Sequence, residues 1–414
     1  MAERLPDDCF ALPPGVDWTP VDDALARLRA VLGPVTEAET AALSTAAGRI
    51  LAQPALALRA NPPAANSAVD GYCFAHASLA GERGDLALRQ GRAAAGHPFA
   101  GQLAPGEALR ILTGADLPAG ADTVVLQEDV TLAEGRVRFP APRKPGANAR
   151  PMGEDAAAGE EVLPAGRRLT SADLARGAAT GIAEVALRRA LRVAVLSTGD
   201  ELIQPGSAGP GIYDANRPML LALARRLGFQ TLDLGVARDR VEEVRAAFDR
   251  AAAEADALIT TGGASAGDED HVSRLLTDEG QVTTWRIAVK PGRPLALGQW
   301  RGVPVFGLPG NPVAAFVCAL IFVRPALGVL AGEGWTTPQA FDVPAAFEKS
   351  KKPGRREFLR ARIRDGRAEI FHSEGSGLVG GLSWAEGLVD LPEPALTIRP
   401  GDPVRYLPFS GFGL

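Results

Sequence analysis

The sequence predicts a multidomain α/β protein built around a doubly wound, mostly parallel sheet, and three observations carry that prediction. Between Leu191 and Leu330 short apolar strands alternate with amphipathic helices, the pattern of a sheet with helices on both faces. The segments on either side break instead into short apolar pieces separated by Gly and Pro. The chain has 414 residues, a length that sets a prior of about two to four domains.

In chain order, "VDDALARLRAVLG" places Val21, Leu25, Leu28 and Leu32 on one helical face, ended by Gly33-Pro34. "TEAETAALSTAAGRILAQ" reads as a second helix, with Thr36 and Glu39 as a capping box. From residue 61 to 150 the texture is that of a small β domain, with "ALRILTGADLPAGADTVVLQEDV" as two strands around a turn and "RVRFPAP" as a third. "TSADLARGAATGIA" is a capped helix. It is grouped with the early helices, so that 18–60 plus 151–188 form a discontinuous helical linking domain.

Residues 189–332 carry the α/β pattern. "LRVAVLSTGDEL", "FQTLDLGVA", "DALITTGG", "VTTWRIAV", "PLALGQ" and "VPVFGL" are its strands. "RPMLLALARRLG", "VEEVRAAFDRAAAEA" and Pro312 to Leu330 are its helices. After Gly332, "FDVPAAF", "EFLRARI", "RAEIF" and "PVRYLPF" suggest a C-terminal β-barrel-like domain, 333–414.

Composition excludes several functions. Net charge is −5 with no long basic stripe, which argues against nucleic acid as a partner. Cys9, Cys73 and Cys318 are odd in number and widely spaced, and the four histidines are scattered. Neither a disulfide framework nor a zinc site is expected. "MAERLPDDCF" lacks the apolar core of a signal peptide, and "PVAAFVCALIF" is followed by Arg324. These features predict a cytoplasmic protein with no membrane partner.

Ligands of open α/β sheets gather at the carboxyl ends of the strands. Three strands here end in unusual sequence: "STGDEL" with Ser197, Thr198 and Gly199; "TTGGASAGDED" with Gly262, Gly263, Ser265 and Gly267; and "GLPGNP" with Pro309, Gly310, Asn311 and Pro312. Glycine admits close approach of backbone to a ligand. Asn311-Pro312 reads as N-cap and N1 of the last helix, whose free N–H groups favour an anion. Acids stand at the same edge: Asp200 and Glu201 in "STGDEL", Asp268 and Asp270 in "TTGGASAGDED". Carboxylates beside an anionic ligand are reconciled by a hard cation such as Mg²⁺. Lys290 is one of only five lysines in an arginine-dominated chain, a sign that a compact ammonium is wanted in "WRIAVKPGRP", which also offers Arg286 and Arg293.

Taken in order, "NSAVDGY", "ILTGADLPAGADTVV", "RPMGED", "VAVLSTGDEL", "TTGGASAGDED", "VKPGRPLALG" and "GLPGNPV" resemble the molybdopterin molybdenumtransferases, the MoeA family, to which the E domain of gephyrin also belongs. The resemblance implies that the α/β domain is of the molybdopterin-binding kind. It implies a reaction in which adenylylated molybdopterin and molybdate give molybdenum cofactor and AMP with Mg²⁺. It also implies a homodimer whose partner subunit completes the cleft.

Carried over, Asp70, Thr113, Asp155, Glu201, Asp239, Asp270 and Lys290 match functional positions. Lys290, Arg293, Arg355 and Ser376 match the molybdate site, and Glu201, Asp268 and Asp270 the metal. Three departures stand out: Val69 for the usual Met, Ala314 for a small hydroxyl residue, and Arg293 for a second lysine. Two rival readings are the neighbouring adenylylation step, which ATP consumption would reveal, and a non-catalytic scaffold of the gephyrin E-domain type.

Overall fold

The computed structural model describes residues 18–142, 144–262, 271–292 and 294–414. The central sheet has six strands in the order Gln230–Ala237, Arg192–Thr198, Ala257–Thr261, Val303–Leu308, Pro294–Trp300 and Gln281–Arg286. The first four run parallel; Pro294–Trp300 pairs antiparallel with both of its neighbours, so it alone runs the other way. Alternation along one strand explains the double winding. Val193 and Val195 face a core with helix Asn216–Arg226 and the helix beginning at Pro312. Ala194 and Leu196 face a second core with helices Val241–Glu254 and His271–Asp278. Side chains of a strand alternate between faces, so a strand apolar at every position must be covered on both. The helix His271–Asp278 was not read from the sequence.

The segment Pro312–Leu330 is apolar and long enough to cross a membrane, yet 94% of it is buried inside the protein. It is the central helix of the largest core, and its middle turn, Ala319–Val323, widens to a π-helix just before Pro325. Proline lacks the N–H of the helical ladder and its ring presses on the carbonyl four residues back; a wider turn makes room. The first helix, Val21–Val31, lays Val21, Ala24 and Leu28 against this same core.

The second expected helix does not exist. Residues Ala38–Ala42 form a strand paired antiparallel with Glu184–Arg188, followed by a single 3₁₀ turn, Leu43–Thr45. The alanines read as helix formers, but pairing with a distant strand decides the conformation. The helix Ser171–Ala179 is present and capped as expected, by a box in which Thr170 and Asp173 cap each other reciprocally. It packs with short paired strands rather than with other helices.

The small β domain is one six-stranded sheet in the order Thr123–Leu126, Gly71–Phe74, Glu107–Ile111, Arg83–Ala93, Arg136–Pro140 and Thr131–Ala133. The C-terminal sheet runs Val289–Lys290, Arg356–Arg364, Gly387–Leu391, Pro403–Pro408 and Phe341–Pro344, with Arg367–Ile370 also on Arg356–Arg364. Its first strand comes from the α/β segment, and register sets Lys290 opposite Glu357.

Ion clusters built on nearly buried carboxylates fasten the parts together. Asp256 accepts from Arg189 at 2.8 and 3.0 Å and from Arg192 at 2.9 Å. Glu333 joins Arg168, at 3.0 Å, to Arg324 of the core helix, at 3.2 Å. Arg356 is held by Asp390 at 2.7 Å and reaches Asp22 of the first helix at 2.7 Å.

Candidate active site

The chain runs from strand Arg192–Thr198 outward to Gln230–Ala237, then crosses back to Ala257–Thr261 on the other side. The carboxyl ends of Arg192–Thr198 and Ala257–Thr261 are therefore a topological switch point, where open sheets leave a crevice. A cleft of about 520 Å³ lies there. Its walls are Thr198, Glu201, Thr261, Gly262, Gly310, Asn311 and Pro312 from the strand ends, with Asp214 and Asn216 below and Gly377 and Val379 from the C-terminal domain above.

The glycines answer to geometry. Gly262 has φ +88°, and a Cβ there would overlap the carbonyl oxygen of Thr198. The two strand ends are thus in backbone contact. Gly199, at φ +146°, leaves space for the Glu201 carboxylate, which a Cβ would meet at 2.5 Å. Asn311 is the N-cap and Pro312 the first residue of the core helix, which opens onto the cleft.

Two side chains that the sequence reading passed over hold the floor. Asn216 Nδ2 donates to Thr261 Oγ1 at 2.7 Å and to the Gly310 carbonyl at 2.7 Å. Thr261 Oγ1 in turn donates to the Pro309 carbonyl at 3.2 Å. One amide thereby ties two strand-end loops together. Asp214, almost fully buried, accepts from Ser197 Oγ at 3.0 Å and from Arg217 Nε at 2.9 Å. The signal was legible: "DANRP" ahead of an apolar run is a helix-start pattern, with Asp and Asn as the side chains that bond locally. Asn216 Oδ1 and Thr198 Oγ1 are buried and, among the described residues, without a hydrogen-bond partner. Buried polar atoms are normally satisfied, so a free acceptor and a free hydroxyl at a cleft are places for ligand groups.

The expected site residues that are described divide into three sets. Thr198, Glu201, Gly262, Gly310, Asn311 and Pro312 line the cleft. Ser197, Gly199 and Pro309 stand immediately behind them, Ser197 turned to Asp214 and the Pro309 carbonyl to Thr261. Asp239 is not a wall residue; it exchanges backbone contacts with Asp200, which donates its N–H to Asp239 Oδ2 at 3.2 Å. Gly263, Ser265, Gly267, Asp268, Asp270 and Arg293 lie outside the described residues, as does the side chain of Arg286.

The second set surrounds Lys290. Its Nζ donates to Glu374 Oε2 at 2.6 Å and Glu357 Oε1 at 3.4 Å. Ser376 is two residues from Glu374, and its carbonyl accepts the N–H of Val313 in the first turn of the core helix at 3.1 Å. Lys290 and Ser376 thus sit where the C-terminal domain meets the α/β domain. Arg355 is half-buried and makes no hydrogen bond or ion pair among the described residues.

The third set lies in the N-terminal half. Asp70 Oδ1 accepts the Thr113 N–H and the Thr113 hydroxyl, both at 2.7 Å. The N–H bond, then the hydroxyl, hold the Asp70 carboxyl below the usual carboxylate range. Asp155 accepts from Asn61 Nδ2 at 2.9 Å. Among the described residues no hydrogen bond joins any of these three to the cleft.

For the metal, no group of three or more His, Cys, Asp or Glu side chains converges among the described residues. Glu201 is the carboxylate of the expected metal set that is described, and it stands in the cleft wall. One carboxylate beside an anionic ligand is a donor set that suits Mg²⁺, which binds through one or two carboxylates plus substrate phosphates.

Geometry of this kind is that of α/β domains that take an anionic, nucleotide-like ligand at a switch point. Comparison with known proteins narrows the class. Residues 19–181 match the model of the MoeA N-terminal region, domains I and II; 194–328 match that of a probable molybdopterin binding domain; and 342–409 match that of the MoeA C-terminal region, domain IV. A molybdopterin molybdenumtransferase of Haemophilus influenzae is 36% identical over 400 residues, covering 94% of this chain and 98% of the relative. Molybdopterin molybdenumtransferase 2 of Mycobacterium tuberculosis is 35% identical, over 87% of this chain and 93% of its own. A crystal structure of the MoeA protein of molybdopterin biosynthesis from Pyrococcus horikoshii superposes with a TM-score of 0.82 at 26% identity, over 95% of this chain and 100% of that one. The chain belongs to the MoeA family, and is an enzyme of the molybdopterin molybdenumtransferase type, in molybdenum cofactor biosynthesis.

Proposed function

We propose that the switch-point cleft holds the pterin nucleotide and that the neighbouring Lys290–Ser376 junction holds molybdate. The observation that carries this is the lining of a single cleft by strand-end loops and by Gly377 and Val379. Lys290 and Ser376 flank it at the same domain junction.

In this reading the first turn of the helix at Pro312 and the backbone at Gly262 and Gly310 receive the phosphates. Thr198 Oγ1 and Asn216 Oδ1 take hydrogen bonds from the ligand's polar edge. Ser197, Gly199 and Pro309 shape these loops, and Gly263, Ser265 and Gly267 belong to the same nucleotide set. Lys290, Arg293, Arg355 and Ser376 bind the tetrahedral dianion. Glu201, with Asp268 and Asp270, would hold Mg²⁺, which when bound supplies charge neutralisation at the phosphates as AMP departs. The protein's own contribution is then positioning and fixed charge.

Asp70, Thr113 and Asp155 complete the cleft of a partner subunit in a homodimer. Support for that comes from a rigid acceptor, Asp70 on Thr113, that is satisfied locally yet, among the described residues, bonded to nothing in its own chain's cleft. The cytoplasm as its location is part of the same proposal. The rival readings have no specific support: the similarity extends through the flanking domains as well as the α/β one. Mixing Asp70→Ala protein with Glu201→Gln protein tests the shared cleft. Activity recovered in the mixture supports it, and two inactive parents that stay inactive when co-folded refute it.

A further inference from the structure

Lys290 does not wait for an anion with its charge exposed. It lies in a compact quartet with Lys349, Glu357 and Glu374. Lys290 contacts Glu374 at 2.6 Å and Glu357 at 3.4 Å; Lys349 contacts Glu357 at 3.2 Å and also bonds Glu374. Two ammonium groups and two carboxylates leave no net charge. The two carboxylates are not equivalent. Glu357 is on the strand Arg356–Arg364, fixed by its register opposite Lys290, and its side chain is 10% exposed. Glu374 is on a loop and 43% exposed. That loop is anchored on either side of it by the buried Arg360, which donates to the carbonyls of Ser373, Gly375 and Leu378. The loop backbone is therefore held, while the Glu374 side chain is exposed enough to leave the two lysines for solvent.

A second observation concerns space. The recess bounded by Lys290, Pro291, Val313, Arg360, Ser373 and Glu374 offers only about 20 Å³. That is room for about one water molecule, so this recess does not take a tetrahedral oxyanion while Glu374 is there.

We propose that Glu374 is an internal counter-ion that occupies the Lys290 ammonium in the resting enzyme, and that a tetrahedral dianion binds by displacing it. This rests on the reading that Lys290 holds molybdate, and it adds a specificity device to that reading. A monoanion offers Lys290 and Lys349 no more charge than the tethered carboxylate does, so it gains nothing by exchange. A dianion replaces one negative charge with two between two lysines, one of which, Lys349, is nearly buried, where charge contacts are stronger than in open water. Glu357 stays in place and keeps Lys349 from carrying uncompensated charge once Glu374 has moved. Glu374 is a positioning residue: it acts on the anion through Lys290.

The test is direct binding of molybdate to the full-length protein by calorimetry, with Glu374→Gln and Lys290→Gln compared to wild type. Glutamine keeps the size of the side chain and removes the competing charge. The proposal expects Glu374→Gln to tighten molybdate about tenfold and to let chloride compete. In turnover the change should fall on KM for molybdate rather than on kcat. A merely structural carboxylate would give weaker binding or a lower kcat. If Lys290→Gln abolishes molybdate binding while Glu374→Gln leaves it unchanged or weaker, the counter-ion proposal is overturned and the Lys290 reading survives. If Lys290→Gln has no effect, the Lys290 reading fails and the proposal with it. Should Glu374→Gln melt early, Glu374→Ser, which keeps the loop polar, is measured by the same titration and judged by the same outcomes.

Discussion

Replacing Asn216 separates its role as a strut from any role as a wall. Its Nδ2 makes two bonds of 2.7 Å, to Thr261 Oγ1 and the Gly310 carbonyl, and the side chain is buried. A net intramolecular hydrogen bond contributes about 1 kcal/mol, and a buried acceptor left without its donor costs about 1–3 kcal/mol. Asn216→Ala removes both bonds and orphans the Gly310 carbonyl, whereas Thr261 Oγ1 keeps its bond to Pro309. The expected loss of stability is about 2–3 kcal/mol, read as a lower urea midpoint at an unchanged slope.

The same amide sets the spacing of the loops ending at Thr261 and Gly310. Affinity for adenylylated molybdopterin should therefore fall about tenfold or more, measured by equilibrium binding. Asn216→Asp sharpens the test. It keeps an acceptor and nearly the same volume, but faces the Gly310 carbonyl with a carboxylate and adds negative charge beside an anionic ligand. It should bind the nucleotide more weakly than Asn216→Ala does. Nucleotide affinity within twofold of wild type in both variants, despite lowered stability, would show that Asn216 is only a fold residue and that the floor does not shape the site.

Three further outcomes follow from the geometry. Gly262→Ala meets a positive φ and the Thr198 carbonyl at once. Enforced left-handed backbone alone costs about 1–2 kcal/mol, so the variant should melt lower and lose nucleotide binding; normal binding would mean that the strand ends are not in the contact described. Acid should loosen the domain junctions. Burial raises the pKa of Asp256 and of Glu333, but the hydrogen bonds from Arg189 and Arg192, and from Arg168, outweigh it and hold both below their ordinary values. A depressed carboxylate contributes stability that is present above its unfolded pKa, about 4, and is lost as pH falls through the lower folded value. Thermal melts should be flat from pH 7 to about 5 and decline below about 4, and Asp256→Asn should flatten part of that decline. Glu201→Gln should raise the Mg²⁺ concentration needed for half-maximal turnover, and an unchanged Mg²⁺ dependence would remove Glu201 from the metal site.

What the sequence disclosed and what it withheld have physical reasons. Strands such as Arg192–Thr198, apolar on both faces, and helices such as Val241–Glu254, capped by turns, announce themselves through local periodicity. Residues 36–45 did not, because an alanine-rich stretch satisfies a helical template and only its partner Glu184–Arg188, far along the chain, makes it a strand. In the site, glycines and the Asn311-Pro312 cap were legible because their conformational demands are local. Asn216 was legible in principle as part of a helix start, but its bonds to Thr261 and Gly310 cross between elements. Glu374 was not legible at all: its pairing with Lys290 spans 84 residues and depends on two domains meeting. Resemblance supplied the proposed roles of Asp70, Thr113 and Asp155, which no local pattern could have connected with a cleft in another domain.

The central claim is that this cleft couples nucleotide release to molybdate insertion. The most direct measurement is AMP release from adenylylated molybdopterin by the purified protein in the presence of Mg²⁺, with and without molybdate. The account predicts release that depends on molybdate, with molybdenum retained on the pterin. Tight nucleotide binding with no molybdate-dependent AMP release would contradict it.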